Sequence, residues 1–163
     1  MISLFYSYSH QDEKYRDELE KHLSVLRKEN IIDEWHDRKI SPGSNWEEDI
    51  NSNLTKADII LLLISSNFLA SDYCYDVETV TALDMHTNGL AVVIPVILQP
   101  CLWNISKLGK KAKMQVLPTD GKPITAFNNQ HEGWLQVAQG IHKVAPKILT
   151  EKRLTKEITL NES

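Results

Sequence analysis

Three stretches of the chain gather side chains able to accept protons, bind hydroxyl groups or stack on rings. They are Ser7-Tyr8-Ser9-His10-Gln11-Asp12, the run Asp37 to Trp46 (DRKISPGSNW) and the run Ser65 to Glu78 (SSNFLASDYCYDVE). Each follows a segment that predicts a strand. Asp37, Asp76 and Glu78 are carboxylates, which stabilise developing positive charge and accept hydroxyl hydrogen bonds. Trp46, Tyr8 and Tyr73 offer flat faces, and the Arg38 guanidinium suits an anionic oxygen.

The common phosphate and hydrolase devices are missing. The glycines stand at 43, 89, 109, 121, 133 and 140, so neither GxGxxG nor GxxxxGK[ST] occurs. HExxH and GxSxG are absent too, which removes metalloprotease and α/β-hydrolase readings. A response-regulator phosphoacceptor would need acids after its first strand and an aspartate ending its third. Ser7-Tyr8-Ser9 and Ser65-Ser66 stand there instead.

Cys74 and Cys101 are far apart and lack CxxC spacing, so neither a disulfide framework nor a zinc set is suggested, and no metal is expected. Free thiols suit a reducing, cytoplasmic setting. A net charge of −4 with no basic stripe argues against nucleic acid as a partner. The one basic cluster, KLGKKAK (107–113), reads as a solvated loop. The longest apolar runs, 59–64 and 91–98, are too short to span a bilayer, and the first strand begins with no secretory signal before it.

The elements that must position these residues follow from periodicity. Residues 2–7 predict a strand. Tyr15, Leu19, Leu23 and Leu26 predict one amphipathic helix over 12–28. Residues 31–36 predict a second strand, and Pro42-Gly43 marks a loop over 37–45. Asn45 is positioned to cap a helix whose stripe is Trp46, Ile50, Leu54 and Ala57. Residues 58–65 are apolar throughout, as a central parallel strand covered on both sides would be. The run 66–73 predicts a turn, and Tyr75 to His86 a helix stopped by Asn88-Gly89. Residues 91–98 predict a strand whose Pro95 marks an edge or bulge. Residues 99–130 read as irregular, with a short last strand at 114–118. Trp134, Ala138, Ile141, Ala145 and Ile148 predict a final helix.

This alternation predicts an α/β, flavodoxin-like three-layer sandwich, with a central, mostly parallel five-stranded sheet flanked by helices. Residues 1–149 form the domain. Residues 150–163, weakly patterned, read as a linker or the start of a removed fused domain. Ligands of such sheets bind at the carboxyl ends of the strands, where the three reactive stretches converge.

Four ordered segments carry a family resemblance: FYSYSHQDE (5–13), DEWHDRKISPGSNWEEDI (33–50), ADIILLLISSNFLASDYCYDVE (57–78) and VVIPVILQPCLW (92–103). Together, over about residues 1–148, they resemble a bacterial TIR (Toll/interleukin-1 receptor) domain of the NAD-cleaving type. Members are NAD⁺-cleaving enzymes or self-associating signalling modules, often parts of larger immune and antiphage proteins. The resemblance makes 37–46 the family's BB loop and a self-association surface. It implies a fused sensor beyond residue 149 and NAD⁺ as substrate with no cofactor; the short apolar runs already predict no membrane contact.

The family's catalytic glutamate follows a pattern like Ser-x-Trp-Cys-x-x-Glu. Here Ser71-Asp72-Tyr73-Cys74-Tyr75-Asp76-Val77-Glu78 has tyrosine for tryptophan and an acid one residue further on, so Asp76 is a rival. Register against Thr81-Ala82-Leu83 favours Glu78, which also shares a helical stripe with Cys74, Ala82 and Met85. Tyr8, Ser9, His10, Asp37, Arg38, Trp46, Tyr73 and Cys74 are the implied substrate contacts. One carboxylate suffices because nicotinamide leaves NAD⁺ as a neutral molecule and needs no acid; an oxocarbenium-like ribose remains to be stabilised.

Plainer readings stand beside these. Glu78 would suit a helix N-terminus as a simple dipole partner. Trp46 would serve equally as a core residue, Cys74 reads as packing rather than a nucleophile, and Trp103 and Trp134 read as packing. The alternative function is a non-catalytic signalling module acting by homotypic association.

Overall fold

The computed structural model describes residues 1–35, 46–110 and 114–162. Its centre is a parallel sheet of four strands: β1 (Ile2–Ser7), β2 (Ile32–Trp35), β3 (Ile59–Ile64) and β4 (Val92–Ile97). Their order is β2-β1-β3-β4. Leu4 pairs with Ile59 and Ile2 with Ile32, so β1 is central. The fifth position is reduced to one parallel bridge, Val96 to Leu117. Leu117 N–H donates to the Pro95 carbonyl at 2.9 Å, and its own carbonyl accepts from Ile97 at 2.8 Å. A strand residue points its nitrogen and carbonyl to the same side, so the N–H that Pro95 lacks would face this thinly paired edge, as an edge proline should.

Helices cover both faces. On one side lie α1 (Glu13–His22), α2 (Ser24–Lys28) and α7 (Gln130–Glu162). There Leu4, Tyr6, Leu61 and Val96 pack with Leu19, Leu23 and Trp134. On the other lie α3 (Trp46–Lys56), α4 (Ser66–Ala70), α5 (Thr79–Thr87) and α6 (Lys107–Lys110). There Phe5, Ile60, Leu62 and Ile97 pack with Leu54, Phe68 and Ala82. All six residues of β3 are buried because alternate side chains enter opposite layers.

Local chemistry explains where elements stop. Asn30 takes a left-handed φ of 56°, while Asn30 and Ile31 N–H groups return to the carbonyls of Arg27 and Leu26 and end α2. Gly89, at φ +70°, does the same for α5: its N–H reaches His86 and that of Leu90 reaches Met85.

Three expectations change. The single helix over 12–28 is a 3-10 turn (His10–Asp12) followed by α1 and α2, divided at the buried Leu23. The turn expected at 66–73 contains α4, because Ser65 Oγ accepts from Phe68 N–H at 3.0 Å and caps a helix that buries Phe68. In the basic cluster, Lys107–Lys110 form a helical turn anchored by buried Leu108. Gly109 is required there, since a Cβ would lie 1.9 Å from the Asn104 carbonyl oxygen. Residues 150–162 are helical, as part of α7. Lys152 Nζ, 2.6 Å from Asp58 Oδ2, ties this extension to the start of β3, while Leu154, Ile158 and Leu160 are exposed.

Candidate functional site

The strand order reverses beside β1, where the chain leaves for β2 on one side and β3 on the other. Such a switch point opens a crevice between the loops leaving the carboxyl ends. A cavity of about 420 Å³ occupies this position, within the usual range for a small-molecule site. Its walls come from the first loop (Tyr8, Ser9, His10, Gln11), from Asn67 and Ala70 of α4, and from Ser71, Tyr73, Cys74 and Glu78. Ile50 of α3 closes one side.

Buried polar bonds tie the first loop to the third. Asp12, almost fully buried, accepts from Ser65 Oγ and from Asn67 Nδ2, the latter at 3.0 Å. Cys74 Sγ donates to the Tyr8 carbonyl at 3.4 Å. This thiol packs and links two loops. Ser71 Oγ accepts from Cys74 N–H at 3.1 Å. The buried Arg16 guanidinium lies 5.7 Å from the Tyr8 ring centre. The Tyr8 and His10 rings meet edge-on at 6.1 Å.

The segment carrying Glu78 is wound unusually. Asp72–Glu78 forms a π-helical stretch that runs into α5. The Thr79 N–H reaches back five residues to the Cys74 carbonyl, and Thr79 Oγ1 donates to the same oxygen at 2.7 Å. A π turn holds one more residue than an α turn. Cys74 and Glu78, four residues apart within this wider winding, both line the cavity.

Asp76 lies elsewhere. Its side chain is 57% exposed and sits 3.5 Å from Lys107 Nζ, whereas Glu78 is 6% exposed. Lys107 also covers the Tyr75 ring at 4.6 Å. Tyr8, Ser9, His10, Tyr73, Cys74 and Glu78 are therefore brought to one cavity. Asp37, Arg38 and Asn45, the expected helix cap, lie outside the described residues, as does the side chain of Trp46. Asn67, Gln11 and the tether Asp12 were not anticipated. Their signal was position, since all three lie within the two loops that leave β1 and β3.

Cys74 and Cys101 are free thiols; burial raises the Cys101 pKa. Among the described residues, the group with metal-ligand types, Glu18, His22 and His131, shares no residue with the cavity. No helix among them is long and apolar enough to cross a membrane.

A curated relative, the uncharacterised protein y4lF of Sinorhizobium fredii (strain NBRC 101917 / NGR234), is 45% identical over 148 residues, covering 91% of this chain and 45% of that protein. This chain thus spans less than half of its relative's length. Two solved structures share the fold at 13% identity. One is the TIR domain of the Toll-related receptor TRR-2 from Hydra magnipapillata, with TM-score 0.54 over 93% of this chain and 98% of that one. The other is the TIR domains of the activated Roq1 resistosome, which directly recognises the pathogen effector XopQ, with TM-score 0.53 over 97% and 99%. The model of the TIR domain family matches residues 4–130, most of the described sheet and the whole cavity wall, and on that match the chain belongs to the TIR domain family.

Proposed function

We propose that this TIR domain cleaves the nicotinamide–ribose bond of NAD⁺, with Glu78 as its catalytic group. The observation that carries this reading is a nearly buried carboxylate on the wall of a strand-end cavity, beside Tyr8, Ser9, His10 and Tyr73. In the reaction the C1′–N bond breaks and its electron pair leaves with neutral nicotinamide. The ribose becomes oxocarbenium-like, and the Glu78 carboxylate stabilises that charge. Water then adds at C1′ and releases a proton, giving ADP-ribose; attack by an adenine nitrogen instead gives a cyclic isomer.

Ser9 and His10 supply polar contacts to the nucleotide, and Tyr73 a ring face. Asp37 is assigned to ribose hydroxyls, Arg38 to phosphate and Trp46 to a base, all from family position alone. Activity depends on assembly through contacts that include 37–46; the resistosome membership of one structural neighbour supports this part. Residues 150–163 lead toward a fused sensor in a longer, cytoplasmic immune protein. The longer relative supports that part.

The test is NAD⁺ consumption at high protein concentration, wild type beside Glu78→Gln, with products separated by chromatography. Consumption by the wild type alone is expected. No consumption by either, even when the domain is forced to cluster, transfers the weight to a non-catalytic module acting by homotypic association.

A further inference from the structure

The pairing of α1 with α7 brings together three side chains that the cavity does not use. Glu18 and His22 stand one helical turn apart on α1, so they share a face. His131 is the second residue of α7. The His22 Nε2 and His131 Nδ1 atoms are 3.2 Å apart. One ligand atom from each of the three residues falls within 4.8 Å of the other two. We propose that Glu18, His22 and His131 form a binding site for one divalent transition-metal ion of the zinc class, which clips α1 to α7.

Geometry favours this. A metal–nitrogen bond of ~2.1 Å at a tetrahedral angle places two imidazole nitrogens roughly 3.4 Å apart. The observed spacing needs only a small outward shift to admit an ion. A carboxylate with two imidazoles is a ligand set that first-row divalent ions accept, leaving a fourth position for water. The His22 ring is already oriented, because it stacks on the buried Trp134 with centroids 6.5 Å apart and planes 27° apart. Glu18 is within reach but shared, since Lys21 Nζ lies 3.1 Å from its Oε1.

Two opposing effects set the strength. His22 ends α1, and the negative end of a helix dipole favours a cation; His131 begins α7, whose positive end disfavours one. All three groups are at least partly open to water. The site should therefore be accessible and of moderate affinity, on the order of micromolar. The consequence is mechanical. An ion held here would fasten the helix that continues through Glu162 to the first helix of the domain.

The experiment uses tag-free full chain, so that only native histidines are present. Zinc chloride is titrated calorimetrically, and cobalt chloride is followed by its visible absorption bands, which report coordination number. One ion per chain is expected, with a melting temperature rising on the order of 5 °C at a hundredfold excess over the dissociation constant. His131→Ala, a change at an exposed residue, should weaken binding at least tenfold, as should Glu18→Gln. His142→Ala, at another exposed histidine, should leave binding unchanged. Absence of stoichiometric binding would overturn the site, leaving a plain imidazole–imidazole hydrogen bond. Equal binding by parent and His131→Ala would overturn it too. None of these readouts depends on NAD⁺ cleavage.

Discussion

The cavity at the strand ends and the Glu18–His22–His131 group on the helices both gather polar side chains, yet they are held in opposite ways. Behind the cavity wall, buried groups are satisfied by bonds between loops: Asp12 with Ser65 and Asn67, Cys74 with the Tyr8 carbonyl. In the helix group, the three side chains are partly open, and the direct bond among them is that between the His22 and His131 rings. Buried polar groups are expensive to leave unpaired. Fold and cavity geometry are therefore coupled at the strand ends. The helix group can change with little cost to the fold.

The sharpest way to break this contrast is to separate chemistry from tethering. Glu78→Gln keeps shape and removes charge. It should lower NAD⁺ cleavage at least ~100-fold, as loss of a preorganised electrostatic group does. A matched unfolding curve separates this loss of chemistry from any loss of fold. If turnover persisted near the wild-type rate, Glu78 would be a wall residue only.

Asp12→Ala tests the tether itself. It strands the Ser65 hydroxyl and the Asn67 amide, and should cost about 2–3 kcal/mol in denaturant unfolding. Asp12→Asn restores one acceptor and should cost roughly half as much. Both should weaken substrate binding, because Asn67, on the cavity wall, would lose its anchor to the first loop. A cost below about 0.5 kcal/mol would mean that the two loops hold their positions independently.

A smaller effect is expected at the π turn. Thr79→Val keeps the shape of the side chain but removes its bond to the Cys74 carbonyl, which still accepts the backbone N–H. The expected loss is ~1 kcal/mol, since one hydrogen bond is removed. Turnover should fall with it, because Glu78 is the preceding residue. Unchanged turnover would show that the winding is set by packing instead.

The two regions also differ in how far residue order reveals them. The cavity was legible because its contributors lie in short stretches that directly follow strands, and a strand's end fixes where they go. The extra residue between Ser71 and Glu78 was visible as a spacing departure. The π winding over Asp72–Glu78 was not, since periodicity assumes one helical pitch and the chain here adopts a wider one. Asp12 was hidden because an aspartate before a helix looks like an ordinary cap, and only tertiary contact turns it inward. α4 was missed because Ser65-Ser66-Asn67 has turn composition, while the burial of Phe68 decides for helix. The fifth strand was read at 114–118 and survives as the Leu117 bridge, as the missing Pro95 donor would allow. His22 and His131 are 109 residues apart, and no local pattern connects them.

The smallest expected effect probes the helix group without any ion, in the presence of a chelator. Burial, and secondly the adjacent His131, hold the His22 imidazole below its ordinary pKa, against an opposing pull from Glu18. Glu18 is itself paired with Lys21. The folded state therefore takes up this proton at lower pH than the unfolded chain does. Near and below about pH 6.5, the ordinary histidine value, the unfolded chain binds more protons, so stability falls as pH falls through the depressed folded value. Above that window His22 contributes no pH dependence. His131→Ala removes the neighbouring charge but leaves the burial, so the fall should become shallower without vanishing. Wild type and variant, unfolded in denaturant between pH 5 and 8, should diverge only at the acidic end. Parallel curves across the whole range would show that the two imidazoles do not sense each other. The 3.2 Å approach on which the metal site depends would then not persist in solution.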